Sequence, residues 1–220
     1  MSSIDSSLFN TLAGFSTINT SPGGSISAIA GEGVIDRTGA GTNDDDMGLF
    51  RTAPVVSAIG HVIYIDVKLS AVTLGSGSHG YLILKDAAGI AKSSGGTFQV
   101  GAYLQGFNPT RVKTWDGAAA GGGSLNMIAD TWYTIRFTID PSGDCQLDAK
   151  LRSDSSYTNI GTVTGIDISG ASIYGVAAQY RNDAEQMFLD NYHWTDDGEI
   201  SLPVEGRSHV SRYLIDYGKF

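Results

Sequence analysis

From Thr131 to Ala149 polar and apolar side chains alternate, break at a tight turn, and begin to alternate again. Tyr133, Ile135, Phe137 and Ile139 share one parity, and Trp132, Thr134, Arg136 and Thr138 share the other. A period of two in β-branched and aromatic residues is what a strand with one buried face requires. Asp140, Pro141, Ser142 and Gly143 supply the turn, because Pro presets φ at an early position and Gly accepts the positive φ that closes it. The same reading predicts strands at about 25–29, 33–37, 49–52, 61–69, 80–85, 97–104, 110–115, 131–139, 144–151, 157–163, 172–180 and 187–194. Turn clusters separate them at Thr38 to Asp46, Gly75 to His79, Asp86 to Gly89, Asp116 to Ser124 and Asp140 to Gly143. Helical periodicity is nearly absent, with short helical turns expected only near 5–12 and 207–216. Leu8, Phe9, Leu12 and Phe15 give residues 1–23 enough apolar content for a lead-in strand or arm. The stretch 117–124, GAAAGGGS, reads as a flexible loop between patterned strands.

Many short strands with regular turn signals predict an all-β fold, an antiparallel two-sheet β-sandwich of the jelly-roll kind. A chain of 220 residues suits one such sandwich, and no linker divides two cores. The pattern changes after Trp194, which predicts a domain over 1–198 and a C-terminal interaction arm over 199–220. In the arm Arg207, Arg212 and Lys219 offset Glu199, Glu205 and Asp216, whereas the body carries the negative excess. Val204, Tyr213, Leu214, Tyr217 and Phe220 make the arm too apolar for a solvated tail, so it is expected to dock on a neighbouring surface.

Composition narrows the classes of function. A net charge of −9 disfavours general nucleic-acid binding, since no positive field draws phosphate. The 29 glycines and the 17% of charged residues fit short strands with a Ser, Thr and Asn surface. Cys145 is the single cysteine, which excludes an internal disulfide framework. MSSIDSSLFN lacks the basic and apolar regions of a signal peptide, so no secretory route is expected. The one Asn19-Thr20-Ser21 sequon then reads as chance. No uncharged apolar run approaches a membrane span, so no membrane partner is expected.

Three pieces carry a family resemblance: the opening Asp5 to Phe15 with Gly23-Gly24 and Gly31-Glu32-Gly33, the central WYTIRFTID of 132–140 with its Gly turn, and the closing FLDNYHW of 188–194. Together they resemble the concanavalin A-like lectin/glucanase jelly roll, in particular its laminin-G-like branch. The resemblance implies two antiparallel sheets, one concave, with the last strand returning beside the first. It covers lectins, glycosidases, lyases and purely structural modules, so it does not choose a function.

The candidate chemistry is thin. Gly75 to Gly80 matches GxGxxG, but it precedes the strand-like YLIL rather than a helix, and the dinucleotide motif needs the helix N-terminus. Asn43 to Asp46, with Asp190 or Asp5 from neighbouring strands, would supply oxygens for a structural Ca2+ of the sort the resemblance implies. The run lacks the ligand spacing of an EF-hand and reads first as an acidic turn, so no metal is assigned. Glycoside hydrolysis needs two facing carboxyls, and Glu32, Glu185, Glu199 and Glu205 do not form the Glu-x-Asp-x-x-Glu strand of the fold's glucanases. Tyr180-Arg181 and Tyr192-His193 only echo the lyase branch, which would need a Gln-x-His strand. His61, His79, His193 and His209 show no metal spacing, and no nucleophile motif surrounds a Ser or Cys145. A non-enzymatic chain without a cofactor is expected. A binding face is legible in Tyr103, Gln105, Arg111, Lys113, Trp115, Gln179 and Arg181, which mix flat rings with forked donors. Such groups suit sugars or a protein interface, unless Trp115 and Tyr103 merely cover core edges.

The sequence therefore favours a structural virion protein of a bacteriophage, a capsid decoration (cement) or tail component. It would self-associate as a trimer or higher symmetric array and dock on other virion proteins through 199–220. A soluble carbohydrate-binding module or lectin is the alternative, with sugar stacked on Trp115 or Tyr103. A polysaccharide lyase or glycoside hydrolase comes third.

Overall fold

The computed structural model describes residues 3–7, 9–20, 23–38, 47–52, 55–56, 60–72, 79–86, 99–105, 109–116, 120–140, 143–166, 172–181 and 185–195. Its strands, in chain order, are β1 (Ser3–Ser7), β2 (Phe15–Asn19), β3 (Ser25–Ile29), β4 (Glu32–Asp36), β5 (Met47–Arg51), β6 (Val55–Val56), β7 (His61–Leu69) and β8 (His79–Lys85). They continue with β9 (Gln99–Gln105), β10 (Arg111–Trp115), β11 (Ala120–Asn126), β12 (Tyr133–Ile139), β13 (Cys145–Leu151), β14 (Thr158–Val163), β15 (Ser172–Arg181) and β16 (Gln186–Thr195). An eight-stranded sheet runs β14-β13-β12-β7-β16-β4-β3, with β1 also on β16. A six-stranded sheet runs β11-β10-β9-β8-β15-β6, and β2 and β5 form a ribbon that lies alongside β15. All pairings are antiparallel. The fold is the antiparallel β-sandwich that the alternation predicts.

The core lies between the sheets. Ile63, Ile65, Val67 and Leu69 of β7, with Ile135 and Phe137 of β12, meet Leu82 and Leu84 of β8 and Val100 and Leu104 of β9. Each set follows the period of two, so these residues leave water while their neighbours form the outer faces. Phe9 stacks on Phe15, and Phe15 meets Tyr192 edge to face, both at 5.5 Å, which seats the lead-in segment on the closing strand. β1 pairs with β16 from Ser3–Thr195 to Ser7–Tyr192, so the last described strand returns beside the first.

The central hairpin is in the expected register. Tyr133 to Ile139 pair with Leu151 to Cys145 in one unbroken ladder. The Gly143 N–H donates to the Asp140 carbonyl at 3.0 Å, and Gly143 has φ +92°.

Two expectations fail. Residues 3–7 form a strand on the edge of β16 rather than part of a helical turn, because β16 leaves that ladder open to them; 207–216 lie outside the described residues. The Gly-rich run is not a loop throughout, since Ala120–Asn126 is strand β11 on the edge of the six-stranded sheet. Gly123 has a packing reason: a Cβ there would stand 2.9 Å from the Ile160 carbonyl oxygen of β14. Strand propensity is poor here, but close approach between the two sheets excludes a side chain at Gly123.

Candidate functional site

The outer face of the six-stranded sheet gathers the residues that the sequence singles out. Arg111 pairs with Gln105 and Lys113 with Tyr103 across β10 and β9. Gln105 pairs with His79 and Tyr103 with Tyr81 across β9 and β8. Arg181 and Gln179 of β15 stand opposite His79 and Tyr81 in the same two rows. Directly opposed residues of an antiparallel sheet share a face, so Tyr81, Tyr103, Gln105, Arg111 and Lys113 lie on one face, and backbone pairing brings positions as far apart as 79 and 181 side by side. Val112 and Thr114, the alternate positions of β10, are buried on the other side.

Tyr103 and Trp115 do not serve as stacking platforms for a sugar. Tyr103 is 7% exposed and Trp115 3%, and they form a second cluster with Tyr81 and Ile83, against which Ile18 and Phe50 of the ribbon pack. Tyr81 and Tyr103 stack at 5.0 Å, and Tyr81 meets Trp115 edge to face at 5.3 Å. The reason is register: Tyr81 and Tyr103 stand side by side on β8 and β9, and Trp115, opposite Gly101 in the next row, closes on both, so the rings bury one another before they meet a ligand. The reading of these rings as cover for a core edge is the one that the structure supports. They form a stiff floor beside the polar row. Sequence reasoning missed Tyr81, whose signal is its odd place in the apolar YLIL run.

Gln105, Arg111 and Lys113 remain half-exposed at the edge of that floor. The Gln105 amide oxygen is buried and accepts no hydrogen bond among the described residues. A buried acceptor left without a donor costs about 1–3 kcal/mol, so such an atom calls for an explanation; the residue is half-exposed, and a turn of its amide would present the oxygen to a ligand hydroxyl.

The eight-stranded sheet carries a different outer face, whose polar groups satisfy one another. Asp66 is 3% exposed; its carboxylate accepts from the Thr134 hydroxyl at 2.6 Å and the Asn191 amide at 2.7 Å, and pairs with Arg152 at 3.2 Å. Burial pushes the Asp66 carboxyl above its ordinary value, against those three lowering contacts. Asn191 reaches it because a bulge in β16 holds that residue at φ +47°. Asp148 accepts from Arg136 at 2.7 and 3.1 Å, from Gln146 at 2.9 Å and from Asn159 at 3.0 Å. Lys68 lies over the Trp132 and Phe188 rings, and Arg152 over Trp132. None of this network was read from the sequence, although a lone Asp within the apolar HVIYIDVKL was its signal.

No Ca2+ site assembles from the described candidates. The Asp190 carboxylate accepts from Arg152 at 3.2 Å and from the Asn191 N–H at 2.8 Å, and a guanidinium on a carboxylate competes with a cation. Asp5 stands opposite Trp194, whereas Asp190 stands opposite Asp66. Among the described residues no group of three or more His, Cys, Asp and Glu could hold a metal ion; Asn43 to Asp46 lie outside them. His61 accepts from the Trp194 indole N–H at 3.1 Å inside the core. Cys145 is buried, and burial with the nearby Asp148 pushes its thiol up to about 12, so it is a core residue rather than a nucleophile. The GxGxxG run leads into β8, a strand. Val204, Arg207, Tyr213, Leu214, Tyr217 and Phe220 lie outside the described residues, as does the rest of 199–220.

No protein-family model matches the chain, and no curated protein matches it in sequence. Solved structures do match the fold. Lectin I-B4 from Griffonia simplicifolia superposes with a TM-score of 0.64 at 8% identity, over 90% of this chain and 100% of the lectin. The Emp47p carbohydrate recognition domain gives 0.63 at 11% identity, over 88% and 95% of the two chains. Arcelin-5, a lectin-like defense protein from Phaseolus vulgaris, gives 0.64 at 9% identity, over 90% and 99%. The chain therefore has the concanavalin A-like lectin fold. At such identities the likeness carries the fold alone, and it lends no support to a virion role.

Proposed function

We propose that this chain is a non-enzymatic carbohydrate-binding domain whose site is the outer face of the six-stranded sheet, centred on Gln105, Arg111 and Lys113. The observation that carries the reading is the orphaned Gln105 acceptor, set beside Arg111 in one row and next to the ring-floored row of Tyr103 and Lys113. A planar amide, a guanidinium and an ammonium, held at the edge of a buried ring cluster, supply directed donors and acceptors for the hydroxyls of a sugar. The similarity in fold to carbohydrate recognition domains supports the same choice over the virion reading. Lyase or hydrolase chemistry finds less support, because Asp66 and Asp148, the buried carboxylates described on the other sheet, are held by their own partners.

Gln105→Leu tests the proposal with two readouts. Removing a buried, unpaired acceptor is expected to leave the melting temperature unchanged or higher, while affinity for the bound glycan falls about tenfold for a lost hydrogen bond. A broad panel of neutral and acidic glycans, of which the wild type binds none, would overturn the proposal. So would a Gln105→Leu variant that binds as tightly as the wild type.

A further inference from the structure

Among the described strands, charge is distributed unequally between the two sheets. The strands of the six-stranded sheet contain Lys85, Arg111, Lys113, Arg181 and His79, and no Asp or Glu. The strands of the eight-stranded sheet hold Asp5, Glu32, Asp36, Asp66, Asp148 and Asp190, against Lys68, Arg136, Lys150, His61 and His193. In a protein of net charge −9, a six-stranded sheet free of carboxylates is a local reversal of sign. The reversal coincides with the candidate site: Arg111 and Arg181 stand in the Gln105 row, and Lys113 stands in the Tyr103 row. Lys85 is buried at the far end of β8, so among the described side chains the half-exposed cations of this sheet are Arg111 and Lys113, on the Gln105 side.

We infer that the carbohydrate taken by this face is anionic, a glycan bearing carboxylate or sulfate groups. The inference rests on the carbohydrate-binding reading and names its ligand class. A neutral sugar gains nothing from fixed cations, which must be desolvated to approach it. An acidic sugar gains charge-assisted hydrogen bonds, which are shorter and about twice as strong as neutral ones. Lys113 supplies a point charge for a carboxylate or sulfate group, and Arg111 adds to the positive field from the preceding same-face position of β10. The six carboxylates of the eight-stranded sheet's strands disfavour a polyanion there, so of the two described sheets this one is the better suited to it.

The test compares a carboxylate polymer (oligomers of a polyuronate), a sulfated galactan, neutral mannan and galactan, and single-stranded DNA, each titrated into the full chain at low and high salt. The expected result is binding of the polyuronate or the sulfated galactan, weakened by salt, with the neutral polymers and DNA bound at least about tenfold more weakly. Which of the two acidic polymers binds identifies the anionic group. Lys113→Gln is expected to lower affinity for that polymer about tenfold, Lys113→Arg to restore it, and Lys150→Gln on the other sheet to change nothing. Preferential binding of mannan or galactan, indifferent to Lys113→Gln, would overturn the inference and leave the carbohydrate-binding reading intact. Equal capture of DNA would overturn it as mere polyanion attraction. Binding of no polymer at all would overturn both.

Discussion

Asp66 sits near the middle of the eight-stranded sheet with its carboxylate almost out of water, held by Thr134, Asn191 and Arg152. Its burial raises its affinity for a proton above that of the unfolded chain. Folding therefore takes up a proton in the acid range, and the sign of the pH effect follows. Relative to Asp66→Asn, wild-type stability should rise as pH falls through the folded value of Asp66 towards the ordinary 3.8, and stay level above it. At neutral pH Asp66→Asn should still lose about 1–3 kcal/mol, because an amide carries no charge for Arg152 and can accept at only one of the two oxygen positions that Thr134 and Asn191 address. Urea unfolding of both proteins from neutral pH to about pH 4 reads both effects; a stability difference that is constant across that range would contradict the burial argument. The sequence showed Asp66 as one acid in an apolar run. It could not show Asn191, whose role depends on a positive φ at a bulge that pairing with β7 creates.

At the level of elements, the hairpin of β12 and β13 was the most legible part of the chain. Its alternation and its turn residues specify the same register, and the ladder from Tyr133–Leu151 to Ile139–Cys145 follows. Gly143 is the residue on which the turn depends. Beyond its positive φ, a Cβ there would overlap the Ile166 carbonyl, and the Ile166 N–H donates to the Gly143 carbonyl at 2.9 Å. Gly143→Ala should therefore cost at least about 1–2 kcal/mol, since the left-handed penalty is added to a backbone clash. Thermal or urea unfolding checks this, and a loss within about 0.5 kcal/mol, as for an ordinary surface change, would show that the turn relaxes freely. β11 was illegible for the opposite reason. Ala, Gly and Ser carry no strand signal; what makes them a strand is the ladder to β10, and what excludes a side chain at Gly123 is the nearness of Ile160 on another sheet, a constraint that no local window contains. β1 was hidden likewise, its partner β16 lying nearly two hundred residues away in sequence.

For the molecule as a whole, composition and alternation were enough for the sandwich, and the pattern of β10 alone, with Arg111, Lys113 and Trp115 at every second position, was enough to suggest a face. Sequence could not tell which of its side chains that face would expose. Trp115 and Tyr103 were the obvious sugar platforms, and the lateral stacking of three strands buries them. The groups left at the edge are Gln105, Arg111 and Lys113, less conspicuous in the sequence and better suited to a charged ligand. The virion reading drew on the apolar segment 199–220, which lies outside the described residues, and the fold similarities do not bear it out. The most direct measurement of where the chain binds is the change in its backbone amide NMR signals as the tightest-binding glycan of the panel is added. Signals of Gln105, Arg111 and Lys113 should shift, while those of Lys150, Arg152 and Asp190 on the opposite sheet stay fixed. Shifts centred on Lys150, Arg152 and Asp190, or a spectrum unchanged by every glycan, would contradict the assignment of function to the six-stranded face.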